Sequence, residues 1–264
     1  MDKKTRYETT QPETFKANLY LQKNLILAAA KKAFLKGQQV EVVRQTSYNG
    51  DNCQISWCVD KEAWLIGSRM VSFLVKDSQA LTTKDSKAFG AGIGKVAFKC
   101  AERLLSLLDG VRDVSSLKED LTDHTLIGHF LSADESSLSD QVLMYKSDRL
   151  VFTAIVGNNS HRIALLPEQT CQILTKYDLP MAETKSLGVQ SSYSEMCDAL
   201  LKAHWETSTA KTAEVNEGAI FWLIRRSDKQ MGDRVLSLSQ VESLEFVMLR
   251  EIKMSLRSFM KSTA

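Results

Sequence analysis

Residues 40–58 place an Asn-Gly pair between two segments rich in β-branched and aromatic residues, and this pattern strongly constrains the fold. Because Asn49 and Gly50 both tolerate positive φ, an Asn-Gly pair between apolar segments is the strongest short signal for a β-hairpin. After the turn, apolar residues at alternate positions predict one buried face, formed by Cys53, Ile55 and Trp57. The pattern therefore predicts two antiparallel strands joined by a tight surface turn.

The composition is that of a soluble globular protein, since 44% of the 264 residues are hydrophobic and 25% are charged. This length fits one large mixed domain or two small ones, with a sizeable core. The formal net charge of +2 predicts no general affinity for polyanions. Any RNA-binding site would therefore have to be a local groove.

Five cysteines at irregular spacing give neither a disulfide framework nor a paired Cys-x-x-Cys zinc site: Cys53, Cys58, Cys100, Cys171 and Cys197. The apolar run at residues 25–30 is far too short to span a bilayer, and no secretory signal precedes it. These features predict an intracellular protein of a reducing compartment, cytoplasmic or nuclear, with a mitochondrial location left open and no membrane partner.

Periodicity predicts alternating helical and extended segments along the chain. Helices are predicted over 15–36 with Gly37 as C-cap, 84–109, 167–177, 193–206 and 243–259. Strands are predicted as a pair over 63–76, then over 125–131, 149–158 and 216–224, and from Arg234 onward; 149–158 has the pattern of a central strand. Residues 178–192 are predicted as loop and residues 207–216 as a mobile linker.

The Gly-rich run at residues 90–95 does not fit a phosphate-binding loop. No glycine stands at position 89 to complete the Gly-x-x-x-x-Gly-Lys spacing, and no Ser or Thr follows Lys95 to bind Mg²⁺. A flexible entry to the following helix is the simpler interpretation.

The sequence Ser-Tyr-Asn-Gly-Asp-Asn at residues 47–52, with a predicted strand on each side, resembles the nucleotidyl-acceptor motif of covalent nucleotidyltransferases. This superfamily contains phage-type RNA ligases, DNA ligases and capping enzymes. Its motif has a lysine followed three residues later by Gly, and RNA ligases often carry Asn two residues beyond that Gly. Gly50 and Asn52 match this pattern, whereas Ser47 stands at the position of the nucleophilic lysine.

Two further segments resemble nucleotide-binding strands of RNA ligases. Arg69 occupies the position of a basic residue that lies near the nucleotide phosphates, and His129 stands where a carboxylate commonly contacts the ribose. The alternatives are a buried strand with one snorkelling Arg and a structural His at a strand end. A metal role for His129 would need ligand partners that the other histidines do not obviously supply.

Glu217 and Gly218 match the Glu-Gly-x-Val motif, whose carboxylate positions a catalytic metal or the bound nucleotide. Further along, Gln240 and Glu242 stand where ligases place a Lys-x-Lys pair that grips the triphosphate. The resemblance thus implies catalytic positions at Ser47 and Glu217. It implies nucleotide contacts at Gly50, Asn52, Arg69, His129, Gly218, Gln240 and Glu242.

The fold implied by this resemblance is α+β, the ATP-grasp-like adenylation domain of the ligases, with antiparallel sheets flanked by helices. Residues 1–13 are then a flexible lead-in, and residues 14–264 form a single adenylation-type domain without a separate C-terminal domain. ATP and Mg²⁺ are the cofactors that the resemblance implies.

The departures from the motifs bear on catalysis. Ligation begins with attack of a lysine amine on the α-phosphate, and no base lies beside Ser47 in sequence to activate a hydroxyl instead. Gln240 and Glu242 remove two positive charges from the triphosphate site and add a negative one. The sequence therefore predicts a catalytically degenerate RNA-ligase-like protein, a pseudoenzyme of RNA processing or repair.

This pseudoenzyme would bind RNA, a nucleotide, or a partner such as an active ligase or another RNA-processing protein. The basic residues predicted to bind RNA are Arg225, Arg226, Arg234, Arg250, Lys253 and Arg257, although such residues also often form a plain solvated face. Two alternatives stay open: an active ATP-dependent RNA ligase with a displaced nucleophile, and a structural protein-interaction module.

Overall fold

The computed structural model describes residues 28–77, 81, 94–133, 145–158, 164–209, 216–227 and 232–263, with the side chains of 256, 257 and 259–263 outside the described set. The described helices are α1 (28–34), α2 (Lys95–Leu108), α3 (Val114–Asp120), α4 (Pro167–Lys176), α5 (Tyr193–Thr209) and α6 (Leu244–Thr263). The strands are β1 (Gln39–Ser47), β2 (Asp51–Cys58), β3 (Ala63–Gly67), β4 (Ser72–Val75), β5 (His124–Leu131), β6 (Arg149–Gly157), β7 (Thr184–Gln190), β8 (Gly218–Arg226) and β9 (Arg234–Glu242). Within these residues, no helix has the length and apolar character needed to cross a membrane.

The strands form two antiparallel sheets. The first sheet has the order β7-β1-β8-β9, and the second sheet has the order β4-β3-β2-β5-β6. All the strand pairs within them are antiparallel. The predicted α+β class, with antiparallel sheets flanked by helices, is confirmed.

The hairpin predicted at Asn49 and Gly50 is wrong, because β1 and β2 belong to different sheets. Gly50 is not among the glycines with positive φ. It lies instead where the chain crosses between the sheets, so close to β5 that a Cβ would stand 2.7 Å from the carbonyl oxygen of Phe130. The glycine is therefore needed for close approach rather than for a turn.

The first sheet packs on two sides. One face buries apolar residues against α1 and α5, in a cluster that includes Val40, Val42, Phe221 and Leu223. The other face meets the second sheet through Gln45, which donates to the carbonyl oxygen of Thr153 at 2.9 Å and accepts from the indole N–H of Trp222 at 3.3 Å. All of these hydrogen-bonding groups are buried and paired, as a buried polar contact requires.

The second sheet packs its apolar face against α2, α3 and α4. Strand β6, predicted as central, lies at the end of the sheet order. Its outer edge is nevertheless covered, because the backbone of Phe152 exchanges hydrogen bonds with Pro180 and Ala182 and the carbonyl of Ile155 accepts from Leu165. This cover explains the continuous apolar run that is typical of an interior strand.

The predicted loop at 178–192 is also wrong, since it contains β7. This strand carries Gly188 and is mostly exposed, so its own sequence has little strand pattern. Its hydrogen bonds to β1 make it a strand, which is a tertiary effect.

Other predicted elements agree with the structure within a few residues, among them β5, β6, β8, α4, α5 and α6. Gly37 has φ +70° and ends α1 as predicted. Of the predicted linker, residues 207–209 belong to α5 and 210–215 lie outside the described residues. Residues 1–13, 15–27 and 84–93 of the predicted elements also lie outside them, and the single-domain boundary at 14–264 stays a prediction.

Candidate functional site

Three strand ends of the first sheet bring motif residues together. Ser47 on β1 is paired with Gly218 on β8, and Gly218 is paired with Glu242 on β9. Glu217 precedes β8 and is fixed by its backbone, whose N–H donates to Ser47 at 3.0 Å and whose carbonyl accepts from Ser243 at 2.8 Å. Residues that are far apart in sequence thus form one group.

Gly218 is required by the backbone at this point. Its φ is +145°, a conformation that side chains rarely adopt, and a Cβ there would overlap the carbonyl oxygen of Val241. Glycine therefore lets β9 lie tightly beside β8, where Glu242 is paired with Gly218.

Hydrogen bonds fix the Ser47 hydroxyl. Ser47 is only 3% exposed, and its Oγ donates to Oε2 of Glu217 at 3.0 Å. The Nε2 of Gln240 donates to the same Oγ at 3.4 Å. The hydroxyl proton is therefore directed at Glu217, and the amide of Gln240 is directed at the hydroxyl.

The electrostatics of this group are dominated by carboxylates. The pKa of Glu217 is raised, first by burial and also by the negative charge of Glu242. The hydrogen bonds from Ser47 and Gln240 and the charge of Arg250 oppose this shift. Arg250 donates to Glu242 in an ion pair, so the positive charge of Arg250 is already matched. The name Ser47 cluster is used below for Ser47, Glu217, Gln240, Glu242 and Arg250.

The Ser47 cluster does not fit the polyphosphate of ATP. It holds two carboxylates against one guanidinium, and that guanidinium is paired with Glu242. Polyphosphates are held instead by several cations and by backbone N–H groups. Within the part of the chain that the structure describes, no group of three or more His, Cys, Asp or Glu residues could hold a metal ion.

The second sheet contributes Gly50, Asn52 and His129. Asn52 on β2 is paired with His129 on β5, and Nδ1 of His129 lies 3.4 Å from the carbonyl oxygen of Gly50. Burial lowers the pKa of His129, opposed by the Gly50 hydrogen bond and the charge of Asp51. The imidazole is therefore neutral at pH 7 and does not replace the anionic carboxylate of the motif.

Arg69 is exposed in the turn between β3 and β4. Because Gly67 of β3 is paired with Gln54 of β2, this turn lies at the same end of the second sheet as Asn52 and His129. Its prediction as a nucleotide contact stays a prediction.

Two residues that sequence reasoning missed hold the crossing between the sheets. The hydroxyl of Tyr145 accepts from the backbone N–H of Asn49 at 3.1 Å. Tyr145 and Phe246 belong to a buried cluster against which Tyr48 packs. No local pattern marks either residue, since each acts through a contact distant in sequence.

The basic residues predicted to bind RNA fall into two separate groups. Arg225, Arg226 and Arg234 lie at the end of β8 opposite to Gly218, and for the nine residues of this strand the separation is about 26 Å. Arg250 belongs to the Ser47 cluster, Lys253 follows it on α6, and the side chain of Arg257 lies outside the described residues. The six predicted residues therefore do not form one surface.

Arg226 is occupied by carboxylates. Its Nε donates to Glu41 at 2.6 Å. Its Nη1 donates both to Glu168, at 2.6 Å, and to Asp233. Burial alone would lower the pKa of Arg226, but these carboxylates raise it above its usual value. This network joins β1, α4 and β9 to β8, and RNA binding by Arg226 stays a prediction.

No protein-family model and no curated protein matches the chain. Among solved structures, it is similar to an archaeal ATP-dependent RNA ligase in two forms, with 16% identity over 81% of this chain and 45% of that chain, at TM-scores of 0.41 and 0.42. It is also similar to a mutant Naegleria gruberi RNA ligase with ATP and Mn, with 10% identity over 85% of this chain and 55% of that chain, at a TM-score of 0.42. In each case this chain spans about half of the ligase.

Proposed function

We propose that this chain is a catalytically degenerate RNA-ligase-like protein that binds RNA without forming a covalent nucleotide intermediate. The observation that supports this proposal is the state of Ser47. The residue at the lysine position of the motif is a buried hydroxyl held between Glu217 and Gln240.

A hydroxyl at this position is a poor substitute for a lysine amine. It must lose its proton to attack a phosphorus atom, and Glu217 is the carboxylate placed to accept that proton. The product would be a phosphate ester, which lacks the activated P–N bond through which a lysyl-nucleotide passes on its nucleotide. A serine here therefore disfavours both formation and use of a covalent intermediate.

The charges around Ser47 point the same way. Gln240 and Glu242 stand at the two cationic positions of the motif, and Arg250 neutralises Glu242 rather than a ligand. A triphosphate would meet carboxylates without a compensating cation in this cluster, which opposes its binding. Groups on the second sheet, namely the amide of Asn52 and the neutral imidazole of His129, suit the uncharged parts of a nucleotide.

The test is the intact mass of the purified protein after incubation with ATP and either Mg²⁺ or Mn²⁺. The native chain is expected to gain no adenylate. A Ser47→Lys variant tests the nucleophile alone, and a Ser47→Lys, Gln240→Lys, Glu242→Lys variant tests the nucleophile with both phosphate-binding cations. Because two favourable changes act together, the triple variant is expected to gain more adenylate than the single one.

A Ser194→Lys variant is the matched control, since Ser194 is exposed on α5 away from the Ser47 cluster. It is expected to gain no adenylate, which excludes nonspecific modification of an added lysine. Adenylate on the native chain would contradict the proposal, and peptide mapping would then identify the true nucleophile.

A further inference from the structure

The far end of the first sheet places two arginines side by side. Arg225 on β8 is paired directly with Arg234 on β9. Residues directly opposite in an antiparallel pair point to the same face, with Cβ atoms about 5 Å apart, and like charges there destabilise the pair. Two adjacent guanidinium groups therefore call for an anion.

A β-bulge creates this pairing. Leu223 is paired with Ser237 but Ile224 is paired with Val235, so Leu236 is an extra residue on β9. Without it, the register would place Arg234 opposite Arg226. Bulges re-aim side chains and are frequent beside functional sites.

The nearby carboxylates are already used. Glu41, Glu168 and Asp233 all accept from Arg226, and Asp233 also accepts from the backbone N–H of Ser227 at 3.0 Å. The bulge keeps Arg234 off the face on which Arg226 holds these carboxylates. Neither Arg225 nor Arg234 forms an ion pair with a carboxylate among the described residues, while the charge of Arg225 contributes to lowering the pKa of Asp233.

The Arg225 side chain has an unused donor. Its Nη2 donates to the carbonyl oxygen of Gly232 at 3.3 Å, whereas its Nε is buried without a hydrogen-bond partner among the described residues. A buried donor left unpaired costs about 1–3 kcal/mol, and a ligand oxygen would recover this energy once the side chain turns to expose the Nε. Arg234 is exposed and leaves the site open to solvent.

We propose that Arg225 and Arg234 together bind a phosphate group of an RNA strand. This inference rests on the proposed function only in taking RNA as the ligand. Guanidinium groups offer paired N–H donors that match two oxygens of a phosphate. An open pair of this kind holds free phosphate weakly, while a polyanionic strand gains further affinity by releasing counterions.

The test is the binding of a labelled single-stranded RNA, measured by fluorescence anisotropy at several salt concentrations. The Arg225→Gln, Arg234→Gln variant is expected to bind about tenfold more weakly or worse, and the slope of log affinity against log salt should fall in magnitude by about 0.7 for one lost phosphate contact. The matched control is Arg103→Gln, Arg112→Gln, which removes two exposed arginines near the end of α2 and should change neither quantity.

A second variant distinguishes a loss of phosphate contacts from a loss of the fold. Arg225→Lys, Arg234→Lys keeps both charges but loses the paired donors, so it should weaken binding several-fold with little change in salt slope. Unchanged RNA affinity in the Gln variant, or an equal loss in the control, would overturn the proposal. Inorganic phosphate that binds as tightly as the RNA would also overturn it, because the site would then serve a free anion.

Failure here is distinguishable from failure of the proposed function. The mass measurement depends on the Ser47 cluster, about 26 Å away along the nine residues of β8. Adenylate on the native chain would reject the pseudoenzyme and leave the arginine pair standing. An unchanged salt slope in the Gln variant would reject the arginine pair alone.

Discussion

The first sheet treats charge differently at its two ends. At one end, Glu217 accepts from the hydroxyl of the buried Ser47, and Glu242 pairs with the guanidinium of Arg250. At the other end, Arg226 gathers three carboxylates from three other elements into one network. The same four strands thus carry one end where burial, and then the charge of Glu242, raises the pKa of Glu217, and another end where three carboxylates raise the pKa of one arginine.

The two ends of the first sheet therefore suit different roles. In the Arg226 network, three carboxylates share one guanidinium and link β1, α4 and the residue before β9 to β8, which is typical of a structural role. The Ser47 cluster links Ser47 at the end of β1 to Glu217 before β8 and to Gln240 on β9, and Arg250 of α6 pairs with Glu242. Glu217 is half-buried and has a raised pKa, a combination that is more typical of a site than of a scaffold.

The largest effect is expected from Gly218→Ala, which tests whether the Ser47 end depends on backbone geometry. The added Cβ would overlap the carbonyl oxygen of Val241, and φ +145° is itself unfavourable for alanine. We expect a loss of about 4 kcal/mol or more in the free energy of unfolding, measured by urea denaturation.

The Gly37→Ala variant separates the cost of a positive φ from the cost of steric overlap. Gly37 also has positive φ, at +70°, but an added Cβ would meet nothing within 4 Å. Its cost should be about 1 kcal/mol. Equal losses in the two variants would show that close packing at Gly218 contributes nothing.

The next effect is expected from Arg226→Met, which breaks the opposite end. The change leaves Glu41, Glu168 and Asp233 without their common partner, and Glu41 has a side chain only 10% exposed. Removing one partner of a buried ion pair costs about 3–5 kcal/mol. Chemical denaturation at neutral pH measures it, with the exposed Arg112→Met as the control, for which we expect a change within about 0.5 kcal/mol.

The loss in Arg226→Met should shrink in acid, because protonation removes the unmatched charge from the three carboxyl groups. A loss that is independent of pH would indicate packing by the Arg226 side chain rather than charge pairing.

The smallest effect is expected from Glu217→Gln, which sharpens the comparison. The folded pKa of Glu217 is raised, first by burial, so the folded state binds its proton more tightly than the unfolded state. Native stability contributed by this group is therefore lost as the pH rises above the ordinary glutamate value and through the raised one. The amide cannot ionise, so the variant should be more stable at pH 7 by less than about 1 kcal/mol.

The gain in Glu217→Gln should disappear in acid, where the native carboxyl is protonated. Thermal unfolding across a pH series checks this, with the exposed Glu206→Gln on α5 as control. A variant less stable than the native chain at pH 7 would indicate that the ionised carboxylate stabilises the fold.

Much of the candidate site was accessible from sequence order. The motif resemblance named Ser47, Glu217, Gln240 and Glu242 as site positions, and the sheet register places them at one end of the first sheet, while their roles stay predictions. The resemblance did not show that Arg225 and Arg226 have different environments. Neighbouring strand residues point to opposite faces of the sheet, and Glu41 lies only on the face of Arg226. Adjacent arginines therefore have different environments.

The sequence by itself determined the positions of the long periodic elements, because alternation and helical periodicity record which face each element buries. The α+β class was implied by the motif resemblance. Tertiary structure alone decided that β1 and β2 separate, that residues 184–190 form a strand, and that Arg234 stands opposite Arg225. These outcomes depend on hydrogen bonds between backbones far apart in the chain, and local residue preferences do not encode such partners.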